Sequence, residues 1–195
     1  MHATTQDISA GDTVAQWEQK LSELDTIGDR LGRGIDPGIK ETVAVLQLLG
    51  LHTCQSCEGH VDHGVAAPWV ALESADPRFD ALRDIHKDLV EKSESLEEDD
   101  DELDVVYEEM LVISDEMDRI EAMEFKKLIP FLEEFYCYRT VPYEQRLILD
   151  IRGRLTCQGA LLQPAEEKDA QAHRLHAYQR EMRIFTEFLK RKFFS

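Results

Sequence analysis

The sequence predicts an α+β fold, in which a small, mainly antiparallel sheet is covered by helices and carries a long acidic helical hairpin. Three observations predict it. Apolar residues recur at steps of three or four over most of the chain, short runs rich in Thr, Val and Cys occur in separate places, and acidic residues concentrate in one stretch. The expected element order is α, α, β, β, α, α, β, β, α, and paired strands between helices favour antiparallel neighbours.

The first two elements are predicted to be helices. Residues 13–31 place their apolar side chains on one helical stripe. The second helix is expected to start at Pro37, with Asp36 as its N-cap, and to end at Gly50, which suits a C-terminal cap. Because its apolar positions cover more than one face, we expect this second helix to be largely buried.

Four strands are expected in two pairs. Residues 51–57 and 68–73 form the first pair, with a loop rich in metal-ligand residues between them, and residues 146–162 form a hairpin that turns near Gly153. The two pairs contain the similar tetrapeptides Thr-Cys-Gln-Ser and Thr-Cys-Gln-Gly. If these strands were neighbours, Cys54 and Cys157 would lie close enough to share a ligand.

The remaining elements are helical. Asp76 and Pro77 begin a helix that extends to about residue 93, and the acidic run 97–102 is expected to be a solvated turn. Residues 103–135 form one or two further helices that bend near Pro130, and residues 165–194 form a closing helix. At 195 residues the chain fits a single domain spanning 1–195, with 76–135 as a helical elaboration.

The charge is strongly acidic and unevenly distributed. The net charge is −18, and residues 91–134 alone contain 18 acidic and 4 basic residues. Such a surface repels phosphate backbones, so we do not expect non-specific nucleic-acid binding. The chain has no leader pattern and no apolar run long enough to span a bilayer, which predicts a cytoplasmic protein with no membrane association. In that compartment the four cysteines are expected to be thiols, metal ligands or catalytic groups and not structural disulfides.

The segment 54–63 is the strongest functional signal. It holds two cysteines spaced as Cys54-x2-Cys57 and two histidines spaced as His60-x2-His63, and zinc prefers thiolate and imidazole donors. Placing four donors from ten residues around one ion is sterically awkward. We therefore predict a subset, Cys57, His60 and His63, with an open position for water, and zinc as the metal if one is bound.

Three uses of this segment stay open from the sequence. With a metal, Glu58 or Asp62 would act as the general base toward a bound water. Without a metal, Cys57 beside His60 would form a thiolate–imidazolium nucleophile. The third use is purely structural. The catalytic residues that we predict are Cys57, Glu58 and His60.

A second hint lies before the second helix. Arg30, Arg33 and the free amides that follow Asp36 bring positive charge and N–H donors together, which suits an anion. The alternative, which we favour, is that Asp36 caps those amides and the arginines pair with acidic helices.

The segment 34–60, followed by Pro-Trp-Val at 68–70, resembles a set of uncharacterised bacterial proteins marked by Ser-Cys-Glu-Gly-His after a buried helix. Residues 131–136 are similar to a second stretch of that set. This resemblance implies no function.

A more distant resemblance covers about 25 of the 195 residues. The matching positions look like a segment of the tRNA wybutosine-synthesising methyltransferases, a family that uses S-adenosylmethionine. The residues of this chain that match are Ile35, Asp36, Leu46, Leu49, Thr53, Ser56, Cys57 and Gly59. With the anion hint, the candidates for cofactor binding are Arg33, Asp36, Ser56 and Gly59. Because His60 stands where that family has a basic residue, we do not expect S-adenosylmethionine as the cofactor.

Two functional hypotheses follow. The first is a small cytoplasmic protein in which the loop 54–63 is an enzyme centre for an unknown small molecule or protein substrate. The alternative is an interaction protein whose acidic stretch 91–134 binds a basic partner or mimics a nucleic acid. The sequence does not fix the reaction or the oligomeric state.

Overall fold

The predicted α+β fold is confirmed by a computed structural model, which describes residues 10–28, 32–97, 100–162 and 167–195. These ranges contain the following helices and strands: α1 (Ala10–Asp25), α2 (Pro37–Leu48), β1 (Thr53–Cys57), β2 (Trp69–Leu72), α3 (Pro77–Ser95), α4 (Asp101–Phe125), α5 (Ile129–Cys137), β3 (Leu147–Leu149), β4 (Arg154–Cys157) and α6 (Lys168–Phe194). Two short 3₁₀ turns, Tyr143–Gln145 and Gln158–Leu162, flank β3 and β4.

The four strands form one antiparallel sheet in the order β1-β2-β4-β3. Because β2 lies between β1 and β4, these two strands are not neighbours, and the condition for Cys54 and Cys157 to share a ligand is not met. Cys157 is buried in the core, whereas Cys54 is exposed at the place where the pairing of β1 with β2 shifts register.

Helices α2 and α6 supply much of the core. As predicted, α2 is largely buried, from Ile39 to Leu46, because apolar side chains occupy several of its faces. It packs against α6, and the hydroxyls of Thr42 and Thr186 form a buried hydrogen bond of 2.7 Å between the two helices. Phe185 is fully buried, so this aromatic residue of α6 belongs to the core.

Helices α3 and α4 pack mainly against each other. Both have an aspartate N-cap: Asp76 accepts from the Arg78 amide and Asp100 accepts from the Glu102 amide, each at 2.9 Å. Lys92 near the end of α3 pairs with Glu102 at 2.5 Å. The predicted bend near Pro130 is a break, because proline stands in the first turn of α5.

Three sequence predictions need correction or fall outside the description. The first helix ends at Asp25 and does not reach residue 31, and Arg30 lies outside the described residues. Cys137 stands in the run Glu-Phe-Tyr-Cys-Tyr, whose apolar neighbours predict a core thiol, but it is exposed at the end of α5 and that prediction is wrong. Among the helices of the described ranges, none has the length and apolar character that crossing a bilayer requires.

Candidate metal centre

The end of β1 lies beside the start of α2 because the two elements match in length. Twelve helical residues rise about 18 Å, and five strand residues extend about 17 Å. Gly50, with a φ of +80°, turns the chain between them. The Gln47 side chain donates a hydrogen bond to the Thr53 hydroxyl at the end nearest Gly50, and the Gly38 amide donates one to the Glu58 carboxylate at the far end. The strand β1 therefore runs back along the helix.

At this junction Glu58, and not Asp36, caps the first turn of α2 with its carboxylate. Glu58 Oε2 accepts a hydrogen bond from the Gly38 amide at 2.7 Å, and Asp36 makes no side-chain capping bond. Asp36 Oδ2 accepts instead from the Glu58 amide at 3.0 Å. The prediction of Asp36 as the capping side chain is therefore wrong: Glu58 satisfies the helix amide, and the carboxylate of Asp36 turns toward the loop.

Asp36, Cys57 and His60 bring three possible metal donors together. One donor atom from each lies within 4.8 Å of the other two, and all three residues are half-buried. Asp36 Oδ2 is 3.4 Å from His60 Nε2. A tetrahedral zinc ion needs donor atoms about 3.3 to 3.6 Å apart. The Asp36–His60 separation already falls in this range, and no pair of donor atoms in the group is more than 4.8 Å apart, so the three side chains fit an ion with three protein ligands.

The loop that carries these donors is fixed by its backbone. Gly59 is buried with a φ of +85°, and a Cβ there would lie 2.6 Å from the carbonyl carbon of Ala67. The His60 amide donates to the Val65 carbonyl at 3.2 Å and closes the bend. Gln179 of α6 donates to the Glu58 carbonyl at 3.0 Å. The positions of Cys57 and His60 are thus set by the core and not by their own side chains.

The structure distributes the other predicted site residues differently. His63, predicted as a ligand, is exposed and outside the donor group, but its ring stacks on that of His60 with centroids 4.3 Å apart. Asp36, predicted as a cofactor-binding residue, is the third member of the donor group, with Cys57 and His60. Glu58 is occupied as a helix cap, and Asp62 is exposed and pairs with Lys168 at 3.1 Å.

A cleft of about 510 Å³ opens beside the donor group. Arg33 and Ser56 line it, as do Asp36 and His63, whereas Gly59 does not. Trp69 forms part of its apolar wall, and the guanidinium of Arg154 lies 5.4 Å from the centre of the Trp69 ring. No pattern in the sequence marks Trp69 as a site residue. Its pairing opposite Cys57 in the antiparallel register is what brings the ring to the site.

The electrostatics of the site keep the Cys57 thiol protonated in the absence of metal. Burial raises the pKa of Cys57 above its ordinary value, and the nearby carboxylates of Asp36 and Glu58 raise it further. The Gly59 amide, which donates to Cys57 Sγ at 3.3 Å, opposes this shift. A free thiolate nucleophile is disfavoured here, whereas a bound cation would displace the proton.

This shift predicts the pH dependence of Cys57 alkylation. Only the thiolate reacts, so in a metal-free Cys54→Ser protein the rate of iodoacetamide modification at Cys57 should stay low at neutral pH. It should rise through a midpoint above about 8.5, the ordinary cysteine pKa. Asp36→Asn removes one negative charge and should lower the midpoint. A midpoint at or below the ordinary value, measured by mass spectrometry of the labelled peptide, would contradict this description.

Comparison of the chain with protein-family models, with curated proteins and with solved structures finds no match.

Proposed function

We propose that this protein is an enzyme whose reaction centre is a zinc ion held by Asp36, Cys57 and His60, with a fourth position open toward the cleft. The observation that carries the proposal is the convergence of these three donors within 4.8 Å. Their chemistry supports zinc, because a thiolate and an imidazole select borderline-soft ions over Mg²⁺ or Ca²⁺. Three protein donors with an open position are typical of catalytic zinc sites, whereas structural sites are closed by four.

The reaction class that this arrangement supports is hydrolysis. Zinc lowers the pKa of a bound water to about 7, which supplies hydroxide at neutral pH. Zinc held there would supply this hydroxide for attack on the carbonyl carbon of an ester or amide, and the bond to the leaving group would break as the new carbon–oxygen bond forms. His63 lines the cleft beside His60 and is outside the donor group. It would take the water proton and return it to the leaving group.

Metal analysis tests the proposal most directly. Protein made without an affinity tag and purified without added metal should contain one zinc per chain. Chelation should remove the zinc, and at 100 times the dissociation constant added zinc should raise the free energy of unfolding by about 2.7 kcal/mol. Hydrolysis of an ester and amide substrate panel should follow zinc content. Zinc well below one per chain, with no stabilisation on addition, would refute the proposal.

The acidic interaction protein remains the second candidate. One observation favours it: Leu111 and Val112 of α4 are each about two-thirds exposed, at 67% and 68%, within the acidic stretch. Exposed apolar side chains among carboxylates suit a basic amphipathic partner segment. This function does not need the donor group. Under it, the loss of the Cys57 thiol should leave partner binding intact.

A further inference from the structure

A second cavity lies away from the donor group, between α6 and the chain that follows α5. Its volume is about 440 Å³. Four of its lining residues carry or can accept positive charge: Arg139, His173, His176 and Arg180. Gln145 adds an amide, and Glu181 is the one carboxylate among the lining residues. In a chain of net charge −18, this concentration of cationic groups around one cavity points to an anionic ligand.

Helix geometry explains the convergence on the α6 side. His173, His176 and Arg180 stand at positions i, i+3 and i+7, which lie on one face of a helix. All three are exposed, so the face that they form is accessible to a ligand. Within the described part of the chain, Arg180 makes no hydrogen bond or ion pair, and its guanidinium donors are available.

Arg139, in the chain that follows α5, also lines the cavity, and its side chain is held in place. Its Nε donates to Glu181 Oε1 at 3.0 Å and its Nη2 donates to Glu181 Oε2 at 2.5 Å. Glu181 is 2% exposed, and Tyr136 donates a further hydrogen bond to it at 3.1 Å. The buried carboxylate thus orients Arg139 through two of its five N–H groups, and three remain for other acceptors.

We propose that this cavity binds the phosphate group of a small phosphorylated molecule. Two guanidinium groups, two imidazoles and an amide offer more donors than one carboxylate accepts, and they suit the three terminal oxygens and double charge of a phosphate monoester. The cavity volume exceeds the space that a phosphate fills and leaves room for an attached organic group. The site is separate from the proposed zinc centre.

Calorimetric titration of the full chain with ribose 5-phosphate, inorganic phosphate and ribose tests this site. We expect ribose 5-phosphate to bind more tightly than inorganic phosphate and ribose not to bind. Arg180→Gln should weaken ribose 5-phosphate binding by about tenfold or more, because it removes a charge-assisted hydrogen-bond donor. Arg183→Gln is the matched control, since Arg183 is exposed on the same helix and is not among the residues that line the cavity.

Each other outcome overturns the inference. Absence of ribose 5-phosphate binding would refute the inference. Equal loss of ribose 5-phosphate affinity in Arg180→Gln and Arg183→Gln would show only a general electrostatic attraction by α6 and no specific site. Cys57→Ser separates this site from the zinc centre. If that variant abolished phosphate binding, the anion would sit at the metal and the second site would be wrong, while the proposed zinc centre would stand.

Discussion

Replacing Cys57 with serine should lower zinc affinity by more than about a hundredfold. Loss of an outer-shell hydrogen bond at a zinc site already costs about 10- to 100-fold, and Cys57→Ser removes a direct donor. Serine stays protonated at neutral pH and is a poor zinc ligand, but its hydroxyl oxygen can still accept from the Gly59 amide. The fold should therefore persist. The measurement is competition for zinc against a chromophoric chelator, with folding checked by circular dichroism.

Cys54→Ser is the matched control for this experiment. Cys54 lies on the same strand, but it is exposed and outside the donor group, so its replacement should leave zinc affinity unchanged. Cobalt substitution gives a second readout, because a thiolate-to-cobalt absorption band should survive in Cys54→Ser and vanish in Cys57→Ser. Wild-type affinity in both variants would show that no thiol binds the metal. Loss only in Cys54→Ser would transfer the site to the other cysteine.

Local patterns in the sequence were sufficient to predict the order of the helices and strands, although the first helix ends earlier than its apolar stripe predicts. The Asp-Pro start and Gly end of α2 mark it clearly, and the boundaries of β1 and β2 follow from their composition. Strand order was harder, because a repeated tetrapeptide suggested a contact between β1 and β4 that β2 prevents. Local composition specifies that a strand forms, whereas its neighbours depend on how the whole core packs.

Asp36 was not predicted as a metal donor, although the sequence contains the information that places it beside Cys57. Asp36 before a proline is a strong N-cap signal, and that signal hid the exchange with Glu58. The matched lengths of α2 and β1, about 18 and 17 Å, place Cys57 next to residue 36 whenever the chain turns back at Gly50. His63 was predicted from spacing alone, which does not show where a loop bends.

The backbone at Gly59 is the second place where a single change should have a large effect. Gly59→Ala should lower the free energy of unfolding by about 2 to 5 kcal/mol, which extends into the upper range for single substitutions. A left-handed backbone at a residue with a Cβ costs about 1 to 2 kcal/mol, and overpacking adds about 1 to 3 kcal/mol. The new Cβ would lie 2.6 Å from Ala67 backbone and 2.7 Å from Leu175 Cδ1. Because Ala67 backbone cannot rotate away, the loop itself must move.

Gly64→Ala separates backbone strain from steric conflict. Gly64 has a φ of +71° in the same loop, but a Cβ there meets no described atom within 4 Å. This control should therefore lose only about 1 to 2 kcal/mol. Urea denaturation measures both variants. Because displacement of the loop moves Cys57 and His60 apart, Gly59→Ala should also weaken zinc binding, whereas Gly64→Ala should preserve it. Equal destabilisation by the two alanines would show that the contact with Ala67 does not position the site.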